Sequence, residues 1–468
     1  MGDDTPPAGD DPLVAALVAV VGDEHVLVDE GQRASFETDW TGRWSGLARC
    51  VVRPADTEEV AAVVATCAEH RAAVVPQGGN TSLVGGSVPR GGEVVVSLTR
   101  LDVLGPVDRA ARQVTVGAGA TLAAVQRHAG AAGLAYGVDL AARDTATIGG
   151  TIATDAGGIR VVRHGATRAQ VVGLEAVLAD GGVVTRLGGV VADGVGYDLC
   201  SLLVGSEGTL AIVTRARLAL TSLPEPGALA LVAVSDVAAA LAVEAAVGGA
   251  CGGVEASELV TGSGLDLVAE VTGARLPFGA TPRYAVLLEV GGGTAAAELL
   301  GGAIERALDE IPGVEDAVLG LDAADRTRLW HLREAHTEAI ATRAGVVKLD
   351  VALPRSELAG FLDSLAGLVA AESPAVEVVV FGHLGVGDLH VNLLGVPSEA
   401  VAACEDAVLG EVVARGGAPC GEHGVGVHKR RWVTRARGER DVAAMRAIRR
   451  ALDPDELLNP GVLLPDED

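Results

Sequence analysis

A chain of 468 residues that is 49% apolar and carries 63 glycines can bury more than one core, so two domains are expected. Its formal net charge of −26 argues against nucleic acid or an anionic membrane surface as the main partner, and an anionic substrate would need a local cationic pocket. Six scattered cysteines without CxxC spacing, an acidic MGDDTPPAGDDP start unlike a signal peptide, and apolar runs shorter than the ~18–20 residues of a membrane span lead us to expect a reduced, cytoplasmic protein.

Taken in chain order, Leu13–Val21 reads as a short helix and Arg49–Arg53 as a strand closed by Pro54, after which Thr57 caps a helix reaching about His70. Strands follow at Ala73–Pro76, Val94–Leu98 and Val114–Val116, separated by glycine-rich links. Val171–Leu178, Asp180-Gly181-Gly182 and Val183–Thr185 form a hairpin pattern, and an apolar run covers Leu210–Leu220. Beyond Pro224 and Pro226 the rhythm becomes strand Leu229–Val234, helix Asp236–Val247, strand Tyr284–Val290, and helices Ala295–Leu308 and Ala323–Arg343. Strand Val346–Leu353, a helix within 354–371, strand Val376–Phe381 and helix Val401–Ala414 complete it. Strands and helices in short alternation indicate an α+β chain. The boundary falls near Leu223–Gly227, giving domains 1–224 and 225–468. Only two of the 36 basic side chains are lysine, Lys348 and Lys429, in a chain that otherwise uses arginine.

Three stretches concentrate glycine in the first domain. Pro76-Gln-Gly-Gly-Asn-Thr-Ser-Leu-Val-Gly-Gly86 follows a strand directly, and its bare backbone can turn N–H groups toward a phosphate as readily as it can make a plain turn. It lacks the Gly-Lys-Ser/Thr of a Walker loop and the helix-opening GxGxxG of a dinucleotide turn. Thr147-Ile-Gly-Gly-Thr-Ile-Ala-Thr-Asp-Ala-Gly-Gly158 reads as a second loop. Val204-Gly-Ser-Glu-Gly-Thr-Leu-Ala-Ile-Val213, preceded by Gly196-Tyr-Asp-Leu199, reads as a third; three such loops can wrap one extended anionic ligand.

These motifs resemble the FAD-binding domain of the vanillyl-alcohol oxidase/p-cresol methylhydroxylase superfamily. The resemblance implies a two-domain flavoprotein, a FAD domain of the p-cresol methylhydroxylase type followed by an α+β cap domain for substrate and metal, with the last residues returning to the flavin. It assigns FAD contacts to Pro76, Gly78, Gly79, Asn80, Thr81, Gly85, Gly86, Thr147, Gly149, Gly150, Thr154, Gly157, Glu207, Gly208, Ile212 and Asn459. The chain departs from the pattern at Ser82, Thr151 and Asp155, and the last adds a carboxylate beside the expected phosphate. Gly78-Gly79-Asn80 offers no histidine for covalent attachment, so FAD is expected to be non-covalent.

In the second domain, His383 and His390 are seven apart in Phe381-Gly-His-Leu-Gly-Val-Gly-Asp-Leu-His-Val-Asn392. On one continuous strand they would face opposite sides, whereas a reversal at Gly385–Asp388 would bring both imidazoles to one side. Gly421-Glu-His-Gly-Val-Gly426 adds a carboxylate and another imidazole. Two His and one Glu suit an open catalytic zinc site, or manganese, iron or cobalt; from spacing alone, ordinary hydrogen-bonded histidines fit as well. The segments GHLGVGDLHVN and GEHGVGVHK are similar to those of FAD-linked D-lactate, glycolate and D-2-hydroxyglutarate dehydrogenases. That similarity makes His383, His390 and Glu422 ligands of a divalent metal, zinc first, and puts Asn392 and His423 on substrate, with His423 as catalytic base. Val386 and Asp388 replace the usual Asp and Asn, and Val462 a Lys.

Arg333 and Thr337, four apart on the expected helix, and Lys348 in KLDVALP resemble the D-2-hydroxyglutarate branch, where those positions bind substrate. Asp39-Trp40 before Arg43 and Gly46 points the same way, and Lys429 matches the lysine of the EHG motif. The implied reaction is hydride transfer from a D-2-hydroxy acid to FAD, with electrons passing to an electron-transfer flavoprotein or a quinone. D-lactate or glycolate is the alternative substrate. A flavin-dependent alkyl-glycerone-phosphate synthase would need a histidine-rich stretch that the sequence lacks, and a non-enzymatic flavin- or metal-binding protein is the remaining alternative.

Overall fold

A computed structural model describes residues 11–225 and 227–466, apart from the side chain of Thr294. The acidic run before Asp11, and Pro226 of the expected boundary, lie outside the described residues. The chain forms two compact units. One takes in the residues up to Gly157, Gly165–Leu223 and the segment from Glu422 onward; the other consists of Gly158–His164 and Pro224–Gly421.

The first unit contains two four-stranded sheets. In one, Glu93–Ser97 pairs in parallel with both Ala48–Val52 and Val74–Gln77, and Val26–Leu27 adds an antiparallel edge. Val94, Val95 and Val96 are fully buried, as a central strand covered on both faces requires. The other sheet is antiparallel, in the order Gln113–Gly117, Ile212–Ala219, Val171–Val177, Val183–Thr185. Its last two strands form the expected hairpin, with Gly181 at φ +81° in the turn. The C-terminal segment is tied into this unit by the Asn459 N–H, which donates to Val74 O at 2.8 Å, and by Leu458 in the core.

Two expectations for this unit need correction. The helix Thr57–Glu69 is capped by Asp56, whose carboxylate accepts from Glu59 N, because Thr57 is buried with its hydroxyl donated to Glu175. The second glycine stretch is largely helix rather than loop: Ile148–Thr154 is a helix, and Thr147 caps it by accepting from Gly150 N. Its glycines serve packing, since a Cβ on Gly149 would press on Ala118 at 2.9 Å.

The second unit is built on a seven-stranded antiparallel sheet. Its order is Val314–Gly320, Ala228–Val234, Tyr284–Val290, Ala256–Thr261, Glu377–His383, Asp388–Leu394, Val347–Ala352. The helices Gly262–Thr272, Ala323–Glu334 and His336–Ala341 cover one face, burying Leu231, Val260, Leu287, Val379 and Phe381 with Leu265, Leu329, Leu332 and Ile340. The expected single helix Ala323–Arg343 is thus two, broken at Ala335. Arg333 and Thr337 lie on either side of that break and do not share a face: Arg333 is buried, Thr337 exposed. The strand Ala256–Thr261 and the helices Gly262–Thr272 and Glu439–Leu452 were not anticipated from the sequence.

Candidate functional site

In the first unit, the loop after Val74–Gln77 is fastened by side chains. Gln77 Nε2 donates to Phe36 O and Ser87 O, Asn80 Nδ2 donates to Thr38 O at 2.8 Å, and Ser87 Oγ donates to Asn80 Oδ1 at 2.9 Å. Asn80 adopts a left-handed φ of +52°, which the amide of Asn tolerates better than most side chains. A Cβ on Gly78 would overlap the Thr147 hydroxyl, and one on Gly79 the Thr145 carbonyl, so both positions must be glycine for the loop to lie against the start of the 148–154 helix. The result is a glycine loop held by side-chain hydrogen bonds, a form that can cradle an extended anionic cofactor.

Asn459 joins this cradle to the third glycine stretch, its Nδ2 donating to Gly86 O at 2.9 Å and Glu207 O at 2.7 Å. Gly208, at φ +72°, packs on the Pro76 ring. Pro76, Gly78, Gly79, Asn80, Gly86, Thr147, Glu207, Gly208 and Asn459 are therefore one cluster. Ile212 is instead a core residue, and Thr154 turns its hydroxyl back to Gly150 O. The carboxylate of Asp155, which would repel a phosphate, is tied to the backbone and side chain of Arg168 at 2.8 and 2.9 Å. Glu207 has a task that its motif does not reveal. Its two oxygens accept from Val425 N at 2.7 Å and Gly426 N at 2.8 Å, clamping the turn that follows Glu422 and His423. Burial drives this carboxyl up to about pKa 7, against the pull of the two N–H groups and of Lys429. His423 itself is partly exposed, with Nε2 3.8 Å from Glu422 Oε1.

In the second unit the chain does reverse between His383 and His390. The strands Glu377–His383 and Asp388–Leu394 pair with His390 opposite Phe381 and His383 opposite Asp388. Because alternate residues share a face, both imidazoles emerge beside Phe381. Their ring centroids are 5.5 Å apart, nearly perpendicular, and each offers a ligand nitrogen within 4.8 Å of the other's. The flanking strands extend the pattern. Glu258 is the cross-strand partner of His383, Asp350 that of His390, and Lys348 that of Asn392. One face of the sheet thus carries Glu258, His383, His390, Asn392, Asp350 and Lys348.

The contacts among them are specific. His383 Nδ1 lies 2.6 Å from Glu258 Oε1, and Arg333 Nε donates to Glu258 Oε2, also at 2.6 Å. Burial alone would raise the pKa of Glu258, but Arg333 and His383 outweigh it and hold the carboxyl down at about 2. Asp350 Oδ1 sits 3.4 Å from His390 Nδ1, while its Oδ2 accepts from Gly421 N at 2.9 Å. Asp388 packs so closely on Gly421 that a Cβ there would collide with its carboxylate. Lys348 is exposed on the outermost strand, and partial desolvation lowers its pKa. His383 Nδ1 is turned to the Glu258 carboxylate, and two imidazoles with ligand nitrogens within 4.8 Å of one another are a donor pair that fits a divalent metal. Thr337 is the one substrate candidate of this unit that is not buried or aligned with the set.

Glu258 and Asp350 were not singled out from the sequence. Asp350 stands two residues from Lys348 on a strand, a spacing that puts both on one face. Glu258 is a lone carboxylate in the otherwise uncharged strand ASELVT, which in a buried strand calls for a partner.

Residues 48–186 match the family model described as FAD binding domain, and residues 223–463 that described as FAD linked oxidases, C-terminal domain. The chain is 38% identical to a protein of Xanthomonas citri pv. viticola named D-2-hydroxyglutarate dehydrogenase, over 98% of both chains. It is 34% identical to the mitochondrial D-2-hydroxyglutarate dehydrogenase of Bos taurus, over 97% of this chain and 83% of the other. The solved structure of p-cresol methylhydroxylase with substrate bound shares the fold, with a TM-score of 0.78 at 17% identity over 97% of each chain.

Proposed function

The chain belongs to the FAD-linked oxidase family and is a FAD-dependent oxidoreductase, and from that premise we propose that it oxidises a D-2-hydroxy acid, D-2-hydroxyglutarate first, to the 2-oxo acid. The observation that carries this reading is the face bearing His383, His390, Asn392 and Lys348, with Arg333 reaching onto it. It joins a cation-binding pair to positive charge in a chain that otherwise repels anions.

FAD, held without a covalent bond, supplies the hydride acceptor. The first glycine loop, with Thr81 and Gly85, would hold its pyrophosphate; Thr147, Gly149, Gly150, Gly157, Glu207, Gly208 and Asn459 would line the rest, whereas Ile212 lies in the core and Thr154 gives its hydroxyl to Gly150 O. His383 and His390 hold a divalent ion, zinc first, and Glu422 is its third ligand, supported by chain continuity with Gly421, whose N–H is fixed by Asp350. When bound, that ion supplies Lewis acidity toward the α-hydroxyl and α-carboxylate. His423 takes the hydroxyl proton, the general-base role that an imidazole nitrogen can fill. Asn392 orients the α-carbon, and Arg333 and Lys348 receive the distal carboxylate, without Thr337, which lies beyond the helix break and off this face. An electron-transfer flavoprotein or a quinone would be the electron acceptor for the bound FAD. Free cysteines throughout support a cytoplasmic setting, and among the described residues no helix is long and apolar enough to cross a membrane.

One observation bears on a smaller substrate, D-lactate or glycolate: Arg333 gives its Nε–H to Glu258, so only its terminal Nη groups can meet a second carboxylate. Product analysis tests the main reading. Incubation with D-2-hydroxyglutarate and an artificial electron acceptor should yield one 2-oxoglutarate per two electrons transferred. No 2-oxoglutarate from a FAD- and metal-replete enzyme would refute it.

A further inference from the structure

The carboxylate of Glu258 is wholly buried, and each oxygen is committed to a different functional side chain. The strand register fixes this arrangement. Glu258 on Ala256–Thr261 lies directly opposite His383 on Glu377–His383, so the two side chains emerge on the same face as neighbours. From above, Arg333 comes down from the last turn of the helix Ala323–Glu334, its guanidinium also stacked 4.5 Å above the Phe381 ring centroid. A buried carboxylate is strongly disfavoured without partners, so this one is held in place by the two groups it holds.

We propose that Glu258 is the positioning residue of the centre: through Oε1 it fixes the tautomer and ring plane of His383, and through Oε2 it aims Arg333, so that one side chain couples metal occupancy to recognition of the distal carboxylate. The proposal rests on the metal and substrate reading given above. Its chemistry lies in donor and acceptor parity. His383 Nδ1–H and Arg333 Nε–H are both donors, and only an ionised carboxylate accepts from both at once. With Nδ1 protonated, His383 keeps the Nε2 lone pair that a metal needs, and the adjacent negative charge makes that nitrogen more basic. Glutamine has the same shape and the wrong parity. If its carbonyl faces Arg333, its NH2 faces His383 and favours the Nε2–H tautomer, which must move that proton before Nε2 can bind metal. If its carbonyl faces His383, its NH2 meets the Arg333 Nε–H and displaces the guanidinium. Asp350 stands toward His390 in the same cross-strand relation, but at 3.4 Å, and its other oxygen accepts from Gly421 N.

Glu258→Gln in the full-length, FAD-loaded chain tests this. Metal affinity, read by chelator competition and elemental analysis, should fall by roughly ten- to a hundred-fold, the usual consequence of losing the partner of a ligating histidine. With metal restored by excess, the ratio of kcat/KM for D-2-hydroxyglutarate over D-lactate should also fall, whereas a merely structural loss lowers both substrates alike. Unchanged metal affinity together with an unchanged substrate ratio overturns the proposal. The wild-type protein gives a second measurement that needs no variant. In metal-free enzyme with 15N-labelled histidine, the signal that disappears in His383→Gln should report protonated Nδ1 and bare Nε2; the opposite tautomer overturns the proposal even if the glutamine variant does not fold. Wild-type enzyme that turns over at full rate without any divalent ion would instead overturn the metal reading beneath it, a result separable from failure of Glu258 alone.

Discussion

Replacing Glu207 by glutamine isolates a single buried charge. In the folded protein burial raises this carboxyl from its ordinary 4.5 to about 7, the Val425 and Gly426 N–H groups and Lys429 notwithstanding. A folded-state pKa above the unfolded one means that the native protein keeps a proton the unfolded chain has already released. The associated stability is fully present below about pH 4.5 and is lost as pH rises through 7. A gap of about 2.5 units corresponds to ~3 kcal/mol over the whole window, of which ~2–3 kcal/mol falls between pH 5 and 8. Glutamine carries no such proton. It keeps one acceptor for the two N–H groups of the 425–426 turn, at a pH-independent cost of ~1–2 kcal/mol. Urea unfolding of wild type and Glu207→Gln at pH 5 and pH 8 should therefore give a difference in stability that moves in the variant's favour by that ~2–3 kcal/mol as pH rises. Parallel pH dependences would refute the assignment of a proton to Glu207.

The remaining predictions concern the chemistry. His390→Ala, or exhaustive chelation, should abolish substrate-driven flavin reduction while leaving FAD bound, read by absorbance after desalting; full activity in protein free of divalent metal by elemental analysis would contradict it. His423→Ala should retain both FAD and metal yet slow flavin reduction in stopped flow by about two to four orders of magnitude, and a loss of only a few-fold would mean another group takes the proton. Lys348→Met should weaken use of D-2-hydroxyglutarate far more than use of D-lactate, because it removes an exposed point charge available to a second carboxylate; equal losses on both would count against that role. Acid precipitation should leave the yellow chromophore in the supernatant, and colour retained by the pellet would mean a covalent flavin.

Local patterns were legible to the extent that they were local. The turn between His383 and His390 could be anticipated because glycines interrupt a strongly β-forming run, and the helix Val401–Ala414 and the strand Tyr284–Val290 were legible to the residue. Thr147-Ile-Gly-Gly misled because its glycines serve close packing of a short helix against Ala118, a requirement set by a segment some thirty residues away. Thr57 misled because its hydroxyl is drawn to Glu175, 118 residues on, leaving the cap to Asp56. The same distance hid Glu258 and the clamp formed by Glu207. Each is a carboxylate whose partners lie far along the chain, at 125 residues for His383 and 218 for Val425, where no spacing rule reaches. Arg333 was found by its motif, but its commitment to Glu258 depends on strand pairing that the sequence does not encode locally.

Anaerobic mixing of the oxidised enzyme with a panel of hydroxy acids tests substrate and reaction together. Bleaching of the flavin should be fastest with D-2-hydroxyglutarate, slower with D-lactate and glycolate, and absent with L-2-hydroxyglutarate. Faster bleaching by D-lactate, or none with any D-2-hydroxy acid in enzyme replete with FAD and metal, would contradict the function proposed here.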